Sequence, residues 1–337
     1  MRWLLIVTLL LSTSVTAVPV AADQEPASTV DERFGVIVSG ATDDGVPAEA
    51  SADDILRRLG LRTWYSFSPG TEANVPGVQQ IELARPPADP WSLADRAQRH
   101  PGAHWLLGNE PNVPAQDNLS PADYAAWYHD VTFAIREADP TAKFVGPNGL
   151  NWDFTCTACA GFTSTHDWSD GFFDAYLSTY GEAPLIDIWG MHVYDVDWSN
   201  PPLVNSNLGA EQIEAARGWL DSRPELVGKP IWVTEFGVIF GFDSFRIGDV
   251  GGRSMVIPVG PRRQDAIDAY VRDMVSWLKS RGSDLGVQKW FFFSALPITE
   301  PYTTRPAGIA LLQGPSEALA LTDEARVYLS MAGAPAY

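Results

Sequence analysis

Leu106-Leu107-Gly108-Asn109-Glu110-Pro111-Asn112 and Ile231-Trp232-Val233-Thr234-Glu235-Phe236-Gly237 share one pattern. Each is a short apolar run that ends on a single carboxylate among polar or glycine neighbours. Apolar runs without alternation read as strands buried on both faces, which occur in parallel sheets covered by helices. The two belong to a series of eight such runs, at 33–39, 61–67, 80–85, 104–108, 143–146, 186–194, 230–236 and 287–296. Amphipathic segments lie between them. One opens at Ser120-Pro121, a cap followed by a first-turn proline. Its apolar Tyr124, Trp127, Tyr128, Val131 and Ile135 fall at helical spacing, and it stops before Asp139-Pro140. Others cover 209–222, 263–281 and 322–332, with shorter ones at 52–59 and 91–99. Strands alternating with helices in this way predict an α/β fold, a single-domain (β/α)8 TIM barrel. The alternative is a doubly wound open sheet, but no Gly-rich phosphate turn follows the first strand.

The 337-residue chain carries 23 Lys and Arg against 42 Asp and Glu, a formal charge of −19. Such a chain repels phosphate backbones and anionic membrane surfaces, which disfavours nucleic acid and membranes as partners. With 45% apolar and 19% charged residues it builds a core instead of staying disordered. Its 13 Trp, 10 Tyr and 15 Phe suit flat, partly apolar ligands such as sugars, although most such rings fill core. Arg2, the apolar run from Trp3 to Leu11 and the small residues ending Val20-Ala21-Ala22 describe a secretory signal peptide over 1–22. The run is shorter than the about 20 residues a spanning helix needs. Residues 23–32 form a short polar, disordered lead, and 33–337 form the one domain. The expectation is an exported monomer, extracellular or periplasmic, without a cofactor or metal. Cys156 and Cys159 are the only cysteines, with no second pair and only His166 close by. In an exported chain they predict a local disulfide rather than half a zinc site.

In a (β/α)8 barrel the catalytic groups project from the C-terminal ends of the strands. Glu110 and Glu235 fall there, on strands four and seven. Two facing carboxylates suit retaining glycoside hydrolysis, in which one attacks the anomeric carbon while the other protonates the leaving oxygen and later activates water. Their separation in that chemistry is about 5–5.5 Å. Like charges so close raise one pKa and keep the acid protonated near neutral pH. The plainer alternative is a strand-end salt bridge at each Glu, a reading that suits a lone Glu better than a matched pair.

Gly-Asn-Glu-Pro-Asn at 108–112 and Trp-Val-Thr-Glu-Phe-Gly at 232–237 resemble the acid/base and nucleophile motifs of clan A retaining glycoside hydrolases. The resemblance implies Glu110 as acid/base, Asn109 as a partner of the sugar 2-hydroxyl and Glu235 as nucleophile. His192 and Tyr194 share one face of strand six by alternation. The clan similarly places a His and a Tyr there, which implies hydrogen bonds to the nucleophile. Many clan members carry a Trp near the end of strand eight. Here Trp290 sits early and Phe291, Phe292 and Phe293 follow, which leaves open the ring that floors the sugar site. Arg62, Trp64 and Tyr65 on strand two are further candidates for the mouth, with a salt bridge as the other reading of Arg62. The long segments 148–171, which holds Trp152, and 240–261 would wall a cleft or pack on the barrel rim.

Within the clan, the motifs of strands four and seven look most like the endo-β-1,3-glucanase-like family. Residues 308–312 and 322–328 are instead similar to the β-xylosidase and α-L-iduronidase family. The expected partner is an oligo- or polysaccharide with β-linkages, cut within the chain. The alternatives are an exo-acting β-glycosidase and a carbohydrate-binding protein without turnover on the same scaffold. Gly-x-Ser-x-Gly and His-Glu-x-x-His, the marks of other hydrolases, are absent.

Overall fold

The computed structural model describes residues 30–153, 156–157, 163–197, 204–238, 245–250, 253–257, 263–298 and 309–335. Eight parallel strands build one closed sheet. They are β1 (Phe34–Ile37), β2 (Thr63–Tyr65), β3 in two pieces (Gln79–Gln80 and Glu82–Ala84), β4 (His104–Leu107), β5 (Lys143–Leu150), β6 (Ile188–Asp197), β7 (Ile231–Val238) and β8 (Val287–Phe292). Strands adjacent in sequence pair in space, and β8 returns to β1 with Phe34 opposite Trp290. Closure runs through β3. Its first piece pairs with β2, Thr63 opposite Gln79, and its second with β4, Glu82 opposite Trp105. Between them the Ile81 amide donates to the Trp64 carbonyl. All eight apolar runs of the sequence form the strands expected of them.

The covering helices are α1 (Ala52–Leu59), α2 (Pro90–Arg99), α3 (Pro121–Ala138), α4 (Thr165–Tyr180), α5 (Ser206–Asp221), α6 (Gln264–Trp277) and α7 (Asp323–Ala332). Residues 66–78 cross from β2 to β3 with no helix. The Ser120 hydroxyl caps α3 by accepting from the Asp123 amide, ahead of Pro121. α4 occupies part of the segment that spacing assigned to a long loop, 148–171. Its signal is local: Ser164 accepts from the Asp167 amide, Trp168, Phe172, Phe173 and Tyr176 are its buried rings, and Gly181 ends it at φ 75°. Within 240–261, Phe245–Val250 and Arg253–Ile257 pair antiparallel.

Period-two alternation along each strand sorts neighbouring residues into two cores. Ile37, Tyr65, Leu106, Val145, Ile188, Trp232 and Phe291 fill the barrel interior. Phe34, Trp64, Trp105, Trp189, Met191, Val193 and Trp290 pack between strands and helices. A one-residue slip of any strand would exchange the two sets, and each large side chain left in water would cost about 1.5–3 kcal/mol. That holds the register, and the register decides what reaches the mouth.

Residues 30–32, the end of the expected disordered lead, are ordered. The Asp31 amide donates to the Ala332 carbonyl on α7, and its carboxylate takes the Arg33 guanidinium. The signal peptide over 1–22, residues 23–29, and the expected Cys156–Cys159 bridge lie outside the described residues. Among the described residues, no helix is long and apolar enough to cross a membrane.

Candidate active site

β4 ends at Leu107 and the chain turns at once, with φ 84° at Gly108 and φ 49° at Glu110. A Cβ at 108 would sit 2.9 Å from the Tyr124 ring, so only glycine lets the turn pass this close to α3. Glu110 has no such freedom. A left-handed conformation costs a residue with a Cβ about 1–2 kcal/mol, and the surroundings must hold it. They do: the Glu110 amide donates to the Asn148 carbonyl at 2.9 Å, and the Asn109 amide donates to the Asp117 carboxylate at 2.6 Å. Asp117 in turn takes Arg85 Nε at 2.8 Å, and Asn109 Nδ2 donates to Gln116 Oε1 at 3.2 Å.

Glu235 is delivered by a β-bulge. Opposite β6, Met191 pairs with Val233 but His192 pairs with Glu235; opposite β8, Trp290 pairs with Val233 and Phe292 with Phe236. The extra residue on β7 lets two consecutive side chains, Thr234 and Glu235, turn inward while Val233 and Phe236 stay in the outer core. Both Glu235 oxygens are held by phenols: Tyr194 donates to Oε2 at 2.6 Å, and Tyr65 lies 3.2 Å from Oε1 and 3.0 Å from the Thr234 carbonyl.

One imidazole nitrogen stands between the two acids. His192 Nδ1 lies 2.9 Å from Glu110 Oε1 and 3.4 Å from Glu235 Oε2. The three donor atoms of Glu110, His192 and Glu235 lie within 4.8 Å of one another, all buried. Such a set could take a metal ion, yet its polar atoms already satisfy one another through the imidazole and the two phenols. Burial lowers the His192 pKa, which keeps the ring neutral at pH 7. Burial is also the main cause that pushes Glu110 up to about 8, with Arg85 opposing and Asp117 adding to it. Glu235 is pushed up to about 7, again chiefly by burial. His192 and the two phenols oppose that rise, and the Glu110 charge adds to it. Burial thus raises both carboxyls towards neutral pH, where one can hold a proton while the other is ionised.

The structure thus brings together Glu110, Glu235, Asn109, His192 and Tyr194. Tyr194 holds Glu235 as expected, while His192 sits nearer Glu110 than Glu235. Four other candidates lie elsewhere. Trp290 and Trp64 face the outer core, Trp290 packing edge-on to Phe34 at 4.9 Å. Arg62 precedes β2 at its N-terminal end, away from the mouth. Trp152 is buried beside α5, stacked on His166 at 5.1 Å with its amide donating to Gln212. Just beyond β8 the ring near the site is Phe293, edge-on to Tyr194 at 5.8 Å and to Phe67 at 6.2 Å. Asn148 and Asp117 were not singled out in the sequence, where nothing sets a buried amide or a loop Asp apart from its many equivalents.

The family model described as glycosyl hydrolase catalytic core matches residues 63–323. No curated protein matches the chain. Among solved structures, a family GH128 (subgroup II) endo-β-1,3-glucanase from Pseudomonas viridiflava is similar with a TM-score of 0.56 at 22% identity, covering 88% of this chain and 98% of that one. A subgroup I endo-β-1,3-glucanase from Amycolatopsis mediterranei, in complex with laminaritriose, gives 0.53 at 17% identity, covering 89% and 99%. A curdlan-specific exo-β-1,3-glucanase of subgroup III from Blastomyces gilchristii gives 0.51 at 17%, covering 79% and 91%. At these identities the likeness is one of fold.

Proposed function

Given that the chain belongs to the glycosyl hydrolase catalytic core family, we propose that it cleaves β-1,3-glucan within the chain, by double displacement and with retention. Glu235 attacks the anomeric carbon while Glu110 gives its proton to the glycosidic oxygen, and the shortened glucan leaves. Glu110, now a carboxylate, takes a proton from water; the water oxygen attacks the same carbon and frees Glu235. The observation that carries this reading is the pair of buried carboxylate oxygens within 4.8 Å of one another, with His192 Nδ1 between them. Inverting enzymes hold their carboxyl groups about 6.5–9.5 Å apart to admit a water. The choice of β-1,3-glucan and of internal cleavage is supported by the activities of the fold neighbours and by the strand-end motifs. Phe293 and Phe67, which meet edge-on beside Tyr194, are the rings this reading assigns to the sugar. Export through residues 1–22 belongs to the same reading, and N-terminal sequencing of the protein from culture medium tests it.

The test of the activity is reducing-sugar release from a panel of β-1,3-glucan, β-1,4-glucan, mannan, xylan and galactan, with Glu235→Ala beside wild type. Release from β-1,3-glucan by wild type alone is expected. Azide should let Glu235→Ala cleave the chain by taking the nucleophile's place; the product is then an α-glycosyl azide, which has no new reducing end and is read by mass spectrometry. Proton NMR of the first product should show the β-anomer. Full turnover by Glu235→Ala removes Glu235 from the mechanism, and an initial α-anomer removes retention.

A further inference from the structure

We propose that Asn148 and Thr234 form a clamp beneath the site that positions Glu110 and Glu235 relative to each other; this rests on the roles assigned to the two acids above. Asn148 is buried at φ 59°. Its Nδ2 lies 3.3 Å from the carbonyls of Leu107 and Gly108 and 3.1 Å from that of Val145. Its Oδ1 accepts from Thr234 Oγ1 at 3.1 Å, and its backbone carbonyl accepts from the Glu110 amide at 2.9 Å. A Cβ on Gly190 would fall 2.0 Å from Oδ1, so the glycine on β6 leaves the space this amide fills.

One side chain thus ties β4, β5 and β7 together and leans on β6. Its bonds end on the turn that carries Glu110 and on the residue before Glu235. A carboxamide is suited to this place because it donates and accepts at once without charge; a carboxylate would add a third negative group beneath two others. The bulge completes the argument. Trp232, Val233 and Thr234 alternate inward, outward and inward, and the bulge then turns Glu235 inward as well; the Thr234 hydroxyl, at that extra residue, finds Asn148 Oδ1 and, at 3.2 Å, the Met191 carbonyl. That bond anchors β7 at the residue where the bulge begins, and without the bulge regular alternation would turn Glu235 away from the mouth. Neither clamp residue needs to touch substrate.

Thr234→Val removes the hydroxyl and keeps the shape, and Thr234→Ser keeps the hydroxyl. Two readouts apply. The first, independent of turnover, is a 13C NMR titration of the glutamate carboxyl carbons, assigned with Glu110→Gln and Glu235→Gln. The second is kcat and KM on β-1,3-glucan. In Thr234→Val the two titration midpoints should move by about half a unit or more, since the distance between the charges sets their coupling. Meanwhile kcat should fall about 10- to 100-fold, as displacements of about an ångström do, with KM nearly unchanged. Thr234→Ser should restore both. Should Thr234→Val not fold, Asn148→Gly, which tolerates the same φ and removes the amide without adding charge, is read in the same way. Unmoved midpoints in a folded variant, or a kcat loss that Ser does not repair, overturn the clamp. A wild type that releases no sugar overturns the proposed function instead, and the titration still decides the clamp.

Discussion

Tyr194→Phe removes a 2.6 Å hydrogen bond to Glu235 Oε2 and nothing else from the site. In double displacement the nucleophile must be ionised and the acid protonated, so kcat/KM rises with pH through the Glu235 pKa and falls through that of Glu110. With the two at about 7 and about 8, the productive state dominates between them. A hydrogen bond to a charged acceptor contributes about 1.5–3 kcal/mol, and one pKa unit is worth about 1.36 kcal/mol, so losing it lifts Glu235 by about 1–2 units. That carries Glu235 level with Glu110 or past it. Once the order is reversed by a unit, the state with Glu235 ionised and Glu110 protonated falls to about a tenth of its former population. The expected result is an optimum moved to higher pH and a kcat/KM at that optimum lowered about two- to tenfold through ionisation alone. Initial rates on soluble β-1,3-glucan across pH 5 to 10, with folding checked by circular dichroism, measure it. A profile of unchanged shape that merely scales down would refute the claim that Tyr194 sets the ionisation of Glu235, and an optimum moved to lower pH would reverse its sign.

Tyr65→Phe should shift the same limb in the same direction but by less, because that hydroxyl lies 3.2 Å from Glu235 and is shared with the Thr234 carbonyl; the same pH profile measures it. Glu110→Gln should change how stability depends on pH. The folded-state pKa of Glu110 lies above its ordinary 4.5, so the stability tied to its proton is full below that value and is lost as pH rises through about 8. The variant should therefore melt above wild type at pH 9, with the difference closing by pH 4; equal melting curves at both would contradict the buried, proton-binding Glu110. Dialysis against EDTA should leave turnover unchanged, and strong loss restored by a divalent cation would make the Glu110–His192–Glu235 set a metal site.

Much of this was legible in the sequence because burial on both faces leaves an unbroken apolar run, and eight of these sufficed for the barrel. The two acids were legible because a charge closing an apolar strand is conspicuous. Side-chain direction was less so. Alternation was applied to His192 and Tyr194 and placed them correctly, with Met191 and Val193 in the outer core. The same rule separates Trp64 from Tyr65 and Trp290 from Phe291, and it sends the tryptophans outward. On strand two Trp64 and Tyr65 are both candidates from the sequence, and on strand eight the ring stays open among Trp290 and the three Phe; parity separates them. The bulge at Thr234–Glu235 breaks that parity and leaves no mark in composition. α4 hid for another reason. Its start at Ser164 follows a stretch of small and polar residues, so the cap looked like more loop.

The crossing from β2 to β3 has a consequence for motion. Residues 66–78 contain no helix, and the ladder there joins only Thr63 to Gln79 and Trp64 to Gln80, whereas β6 and β7 pair from Trp189 to Asp195. Short ladders open at lower free energy than long ones, so this seam is where the closed sheet should first part in native-state hydrogen exchange, the Gln79 and Ile81 amides trading deuterium ahead of those on β6 and β7. Tyr65 stands at the end of that seam. Each opening would free one of the two phenols on Glu235 and leave Tyr194 to hold the nucleophile, so the breathing of the barrel wall and the charge at its mouth share a residue.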